Sequence, residues 1–134
     1  MFYLASPMYK ANVQHREKDE SKRKRNEGLA RFLEENGIDV FLPQRDADQS
    51  LPGKQLLERE LEAIRECEGL IVILSDTRGV YLETGYAKAI GKRIIGMMVD
   101  ETRELGEWAK AFFDHIADDQ EGLVRFLKNP EWAR

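Results

Sequence analysis

The sequence predicts an α/β fold in one domain, residues 1–134: a doubly wound, mostly parallel sheet of four to five strands with helices on both faces. Three observations predict it. Short apolar runs alternate along the chain with segments whose apolar residues recur at helical spacing. Glycines separate one predicted element from the next. The run LIVIL at 70–74 is apolar throughout, as in strands that are covered on both faces of a parallel sheet.

The first half of the chain contains two predicted strands and two predicted helices. Ser6-Pro7 ends the first strand, and Gly37 ends the first helix. Leu29, Phe32 and Leu33 mark the buried face of that helix. In chain order we predict a strand at 2–5, a helix that begins between His15 and Glu20, a strand at 38–42, a polar loop at 44–53 and a helix at 54–68.

The second half continues the alternation. We predict a strand at 70–74, a tight turn at 76–79, a helix at 80–90 with Gly91 as its cap, a strand at 93–99, a helix around 104–112, a short strand near 115–116 and a helix at 119–127. Such alternation through short connections is typical of Rossmann-like and flavodoxin-like sheets, which bind ligands at the carboxyl ends of their strands. We therefore expect the ligand near the loops 6–10, 43–53, 75–79 and 100–103.

Composition and charge exclude several classes of function. The 21 lysines and arginines and the 25 acidic residues give a net charge of −4, so no overall positive field favours nucleic acid or anionic lipid. No apolar run is long enough to cross a bilayer, and no secretory signal is present. The single cysteine, Cys67, cannot form an internal disulfide or, alone, a metal site. We expect a cytoplasmic protein with no metal, no cofactor, and no nucleic-acid or membrane partner.

Glu83 is the first candidate for chemistry. It lies near the start of the predicted helix 80–90, directly after a buried strand, and Tyr86, Ala87 and Ile90 share its helical face. A first-turn glutamate is usually a favourable partner of the helix dipole. A carboxylate next to a ligand crevice on an apolar face is also partly desolvated, which suits a nucleophile or a base. Both interpretations remain open from the residues alone.

Asp76 is the second candidate, because it closes the strand 70–74 and opens the turn that contains Gly79. A turn aspartate is common and needs no function. Two carboxylates in one crevice indicate glycosidic chemistry, in which one attacks the sugar carbon and the other assists the leaving group.

The stretch 70–92, LIVILSDTRGVYLETGYAKAIGK, resembles the signature of the nucleoside 2-deoxyribosyltransferase family. In that signature an apolar strand runs into Asp, then Gly, then Glu-x-Gly-Tyr-Ala and a Gly-Lys. The opening FYLASP at 2–7 also resembles the family, and the likeness extends over residues 2–99, whereas residues 100–134 match loosely. The family often has an aspartate where this chain has Glu60, and we find no match to the C-terminal asparagine that some members contribute to a neighbouring subunit, although Asp114 and His115 lie nearby.

The resemblance implies an enzyme that cleaves or transfers the N-glycosidic bond of a (2′-deoxy)nucleoside or its 5′-monophosphate. It makes Glu83 the nucleophile that forms a glycosyl-enzyme intermediate, and Asp76 a base-contacting acid or proton donor. It also implies a homo-oligomer whose small-molecule partner is a nucleoside or nucleotide. The residues implied to bind substrate are Tyr3, Ala5, Ser6, Pro7, Glu60, Gly79 and Gly85.

Two alternatives stay open. Some family members hydrolyse deoxynucleoside 5′-monophosphates, and Ser6, Lys10, His15 and Arg16 could hold a phosphate here, although solvated surface is the more common role of such basic residues. A protein of another class, a non-catalytic nucleotide sensor on the same fold, would keep the binding site and need neither Glu83 nor Asp76.

Overall fold

The computed structural model describes residues 1–9 and 18–132. Its strands form one sheet of five, in the order β2-β1-β3-β4-β5, and every neighbouring pair is parallel. The elements are β1 Phe2–Ala5, α1 Glu20–Glu35, β2 Val40–Phe41, α2 Pro43–Asp46, α3 Gly53–Glu66, β3 Gly69–Ile73, α4 Arg78–Ala89, β4 Arg93–Met97, α5 Glu107–Lys110, β5 His115–Ala117 and α6 Gln120–Leu127.

The strand order reverses between β1 and β3. From β1 the chain goes outward to β2 on one side, and from β3 it goes outward to β4 and β5 on the other. This is the flavodoxin-like order, and ligands of such sheets bind outside the carboxyl ends of the strands at the reversal. The register places Ala5 beside Val72, so the exits of β1 and β3 lie next to each other.

Two apolar clusters cover the two faces of the sheet. Phe2 and Leu4 of β1 pack with Leu29 and Leu33 of α1 and Leu123 of α6 on one face. The other face carries Tyr3 and Ala5, which pack with α3 and α4. The alternation of side chains along β1 thus sends Tyr3 under α3 and α4. The predicted fold class, a parallel sheet with helices on both faces, is confirmed.

The ends of several elements differ from the prediction. The second strand is shorter than predicted because β2 lies at the edge of the sheet and pairs with β1 only at Val40 and Phe41. The predicted polar loop after it contains the short helix α2, which Pro43 opens. The predicted turn at 76–79 overlaps α4, which already begins at Arg78. The predicted helix around 104–112 is limited to Glu107–Lys110.

Candidate active site

Three polar side chains meet under α3 and α4. The Tyr3 hydroxyl lies within hydrogen-bonding reach of two carboxylates: it donates to Glu83 in a very short contact, and its oxygen lies 3.1 Å from Oε2 of Glu60. Tyr3 is fully buried, whereas Glu60 and Glu83 are half-buried. Strand β1, helix α3 and helix α4 therefore each contribute one group to a single hydrogen-bonded cluster. We call it the Tyr3 cluster.

The fold explains why these residues meet. Tyr3 projects from β1, which is central in the sheet, toward the face that α3 and α4 cover. Glu83 lies in the second turn of α4, on a side of the helix next to the buried Val80 and Ala87. Glu60 lies in the middle of α3, whose buried residues Ala63 and Ile64 follow one turn later. The sequence alone did not indicate that Glu60 and Glu83 share a partner.

The contacts of the Tyr3 cluster favour protonation of one of its two carboxyl groups. A phenol hydroxyl has one proton and can donate to one carboxylate at a time, so contact with two carboxylates is satisfied best when one of them is protonated. Burial raises the pKa of Glu83 to about 8, the hydrogen bond from Tyr3 opposes that rise, and the charge of Glu60 adds to it. Burial and the two carboxylates also raise the pKa of Tyr3. At neutral pH the phenol stays neutral, and Glu83 ionises just above neutrality.

Asp76 follows β3 at the carboxyl edge of the sheet, as the sequence predicts. Its side chain is exposed, and its Oδ2 lies 3.6 Å from Nη1 of Arg103, in the loop after β4. Among the described residues no hydrogen bond or ion pair joins Asp76 to Glu83. The carboxyl group that shares a partner with Glu83 is Glu60.

The exit of β1 is tightly held. Ala5 is fully buried in the core, and the Ser6 hydroxyl donates to the Leu4 carbonyl at 3.3 Å. The carbonyl of Pro7 accepts a hydrogen bond of 2.8 Å from the buried Asn26 side chain of α1. The backbone of this segment is therefore fixed beside the exit of β3, and the side chain of Ala5 packs in the core.

The two predicted glycines of α4 occupy different sides of the helix. A β-carbon at either Gly79 or Gly85 would meet nothing within 4 Å, so internal packing requires neither glycine. Gly79 is one turn before Glu83 and shares its face. Gly85 is two residues after Glu83, which places it about 200° around the helix. A ligand at Glu83 is thus adjacent to Gly79 rather than Gly85.

Other residues that the sequence analysis named fall outside this region. The Tyr86 hydroxyl accepts a hydrogen bond from Arg65 at 3.0 Å on the helix surface. Asp114 accepts from the backbone of Ile94 at 2.8 Å, at the start of β4 and thus at the opposite edge of the sheet. The predicted phosphate ligands Lys10, His15 and Arg16 lie outside the described residues.

Sequence reasoning did not single out three residues beside the site. The ring of Phe41 stacks on Tyr3, with centroids 5.5 Å apart and planes 15° apart. The Arg59 guanidinium carbon lies 4.9 Å from the centroid of Phe41. Thr77 precedes α4 with a buried hydroxyl that has no hydrogen-bond partner among the described residues. The aromatic residue at the end of β2 was the available signal, because it lies beside Tyr3 in a parallel register.

The surface has two shallow depressions, one on the exposed side of α3 and one beside β5 and α6. Tyr3, Glu60 and Glu83 line neither of them. Within residues 1–9 and 18–132, no group of three or more His, Cys, Asp or Glu side chains is arranged to hold a metal ion. In the same part of the chain, no helix combines the length and apolarity that a membrane span needs.

Solved structures of similar fold include those of three enzymes. They are a 2-deoxyribosyltransferase from the psychrotolerant bacterium Bacillus psychrosaccharolyticus (TM-score 0.73, 19% identity, 92% of this chain and 89% of that chain), the CMP N-glycosidase BcmB of Clostridium botulinum (0.64, 23%, 94% and 96%), and a 2-desoxiribosyltransferase from Leishmania mexicana (0.66, 15%, 96% and 97%).

Sequence comparison gives the family. A search of curated protein sequences found no match. The family model described as nucleoside 2-deoxyribosyltransferase matches residues 2–124, which include the three residues of the Tyr3 cluster. This match covers most of the chain, and the resemblance first indicated by the stretch 70–92 is confirmed. The chain belongs to the nucleoside 2-deoxyribosyltransferase family of enzymes.

Proposed function

We propose that this protein cleaves or exchanges the N-glycosidic bond of a (2′-deoxy)nucleoside or its 5′-monophosphate through a glycosyl ester on Glu83. One observation carries the proposal: the Glu83 carboxyl group shares the Tyr3 hydroxyl with a second carboxyl group, that of Glu60. Retaining glycosidases use two carboxyl groups in this way, one as nucleophile and one as proton donor and acceptor. Membership of the family supports the same class of bond.

The reaction has two displacements. In the first, an ionised Glu83 oxygen bonds to C1′ of the sugar, the C1′–N bond breaks, and the base leaves with the bonding electron pair and takes up a proton. In the second, water or another base attacks C1′, the C1′–O bond to Glu83 breaks to release its carboxylate, and the attacking group gives up its proton to the carboxylate that protonated the first base. Tyr3 supports the first step because its hydrogen bond favours the ionised form of Glu83.

The contacts favour Glu60 as the group that carries the proton. It shares the Tyr3 hydroxyl with Glu83, and one proton between the two carboxyl groups leaves one of them ionised for attack. Asp76, which the family resemblance proposes for this role, is exposed and paired with Arg103. In our proposal Asp76 contacts the base or its surroundings at the mouth of the site.

The substrate would lie at the carboxyl edge of the sheet, between the exits of β1 and β3. The fixed backbone of Ser6 and Pro7 borders this region, and the buried Ala5 lies beneath it. The absent side chain of Gly79 leaves open space on the face of α4 that carries Glu83. We propose that the sugar approaches the helix at Gly79.

A nucleoside 5′-monophosphate is the second candidate substrate. Thr77 has a buried hydroxyl at the start of α4 that no described residue partners, and the first turn of the helix also presents backbone N–H groups. These donors suit a phosphate. The similarity to a CMP N-glycosidase agrees with this candidate. A cytoplasmic location belongs to the same proposal, since Cys67 is a buried free thiol.

The test separates the candidates by their products. The protein is incubated with deoxynucleosides and with deoxynucleoside 5′-monophosphates, each with and without a free acceptor base, and released base is followed by chromatography. Exchange only when an acceptor is present indicates a transferase. Base release from monophosphates alone, without an acceptor, indicates the hydrolase. No release from any substrate, with a measurable shift of the unfolding temperature by nucleotide, would contradict the proposal and favour a sensor.

A further inference from the structure

Two adjacent residues of α3 contact two adjacent aromatic rings of the sheet. Tyr3 and Phe41 are register partners in β1 and β2, and their rings stack. Glu60 contacts the Tyr3 hydroxyl, and Arg59 lies over the Phe41 ring. These contacts join α3 to β1 and β2. Each ring contacts the other ring and one residue of α3.

The amino-terminal half of α3 has few other attachments. The buried residues of α3 are Ala63 and Ile64, both after Glu60. Before Glu60, Leu56 packs partly buried against the core, whereas the side chains of Lys54, Gln55, Leu57 and Glu58 are exposed, and no side chain of the described residues caps the start of the helix. Arg59 also lies within electrostatic reach of Asp46 on α2. Arg59 is therefore placed to fix the position of α3 at the residue that precedes Glu60.

We propose that Arg59 is a positioning residue, whose contact with Phe41 holds Glu60 against Tyr3 and thereby sets how Glu60 and Glu83 share their proton. Arg59 does not touch the reacting atoms in this account. Its planar guanidinium group suits a ring face better than an ammonium group does. The consequence for catalysis rests on the proposed function, whereas the effect on proton sharing does not.

Within residues 1–9 and 18–132, the charged and titratable groups that face Glu83 come from two other elements. They are Glu60 from α3 and Tyr3 from β1, and both act on Glu83 directly. Withdrawal of Glu60 removes a like charge, and loosening of α3 admits water, so both changes lower the pKa of Glu83. A variant that loses the Arg59 contact is therefore expected to ionise Glu83 at lower pH.

The test measures the titration of Glu83 by NMR in protein labelled with carbon-13 at the glutamate carboxyl carbon, with the Glu83 signal identified by its loss in Glu83→Gln. Arg59→Gln is expected to lower the pKa of Glu83 by about one unit, a tenfold change in proton affinity. Arg59→Lys keeps a cation over the ring and should recover part of the shift. Lys54→Gln is the matched control, because it removes one positive charge from an exposed site on the same helix.

An equal titration of Glu83 in Arg59→Gln and Lys54→Gln would overturn the proposal. Phe41→Leu provides a second route, since removal of the ring should reproduce the shift, and circular dichroism checks that the variant folds. Where wild-type protein releases base, the midpoint of its pH–activity curve should move with the titration. Failure of wild type to release base would refute the proposed function and leave the titration as an intact test of Arg59.

Discussion

The proposed role of Glu83 requires an ionised carboxylate, whereas its surroundings favour the protonated form. To attack a sugar carbon its carboxyl group has to be ionised, yet burial and the nearby Glu60 raise its pKa to about 8. The hydrogen bond from Tyr3 opposes the rise because it stabilises the ionised form. Partial desolvation also makes the ionised carboxylate a stronger nucleophile than one in water. The Tyr3 cluster thus sets the pH range in which the proposed nucleophile and the proposed proton donor are both present.

The activity should depend on the proton that Glu60 and Glu83 share. Loss of this proton removes the donor for the leaving base, so kcat/KM of the free enzyme should fall as pH rises through the Glu83 pKa of about 8. The measurement is kcat/KM for base release between pH 5 and 10. Glu60→Gln removes both the like charge and the donor, so its kcat/KM should instead rise with pH as Glu83 ionises, with a midpoint below the wild-type pKa. A wild-type curve that stays level between pH 7 and 10 would contradict the shared proton.

The roles of Glu60 and Asp76 can be separated by the leaving group. An amide can donate a hydrogen bond but cannot transfer a proton, so replacement of the proton donor should slow natural bases by about 10²–10⁴-fold and affect an activated nucleoside much less. We expect this pattern for Glu60→Gln. Asp76→Asn should cause a smaller loss that is equal for both substrates. The check is kcat/KM for both substrate types, and the reverse assignment follows if Asp76→Asn shows the leaving-group dependence.

Among the secondary-structure elements, α4 brings the proposed nucleophile, Glu83, and the open surface of Gly79 to the same edge of the sheet. Its N-terminus follows β3 directly, so the first turns of the helix lie beside the strand reversal between β1 and β3. Glycine in a helix costs up to about 1 kcal/mol relative to alanine. Neither Gly79 nor Gly85 is required by contacts or by a positive φ angle, so an alanine at either position fits the fold.

The two glycines give a matched pair of variants. Gly79→Ala should raise KM several-fold because its methyl group enters the space on the Glu83 side of α4. Gly85→Ala should leave KM unchanged and stabilise the helix by about 0.5–1 kcal/mol. Steady-state kinetics and thermal unfolding measure the two effects. If Gly85→Ala raised KM as much as Gly79→Ala, the substrate would not approach as proposed.

How far the sequence predicts each element depends on how local its determinants are. The uninterrupted apolar run of β3 and the helical spacing in α1 and α3 are local signals, and these elements lie close to their predicted positions. The length of β2 depends on its edge position, which pairs only Val40 and Phe41 with β1. The contact of Glu60 with Tyr3 spans 57 residues of sequence and follows from the docking of α3, which no local pattern specifies.

The whole molecule presents large apolar side chains to its surroundings. Leu57 on α3 is 53% exposed, Leu82 on α4 is 74% exposed, and Trp108 on α5 is 79% exposed. Such side chains are common singly on monomers, but several on neighbouring helices are typical of an interface. Because α3 and α4 also carry Glu60 and Glu83, association through these helices would lie beside the site.

We therefore expect a homo-oligomer. Sedimentation at micromolar concentration should give a mass at least twice that of the chain, and Leu82→Glu should lower that mass because it places a charge at an apolar contact. Lys88→Glu, an exposed change on the same helix, is the control. A wild-type protein that sediments as a fully active monomer would remove the prediction.

The most direct test of the account is base release by Glu83→Ala beside wild type, combined with the mass of wild-type protein quenched with acid during turnover. The account predicts that the variant folds, because the lost side chain leaves Tyr3 with Glu60 as a partner, and that its rate falls by several orders of magnitude. It also predicts a glycosyl adduct on the peptide that contains Glu83. A folded Glu83→Ala variant with wild-type base release would contradict the account.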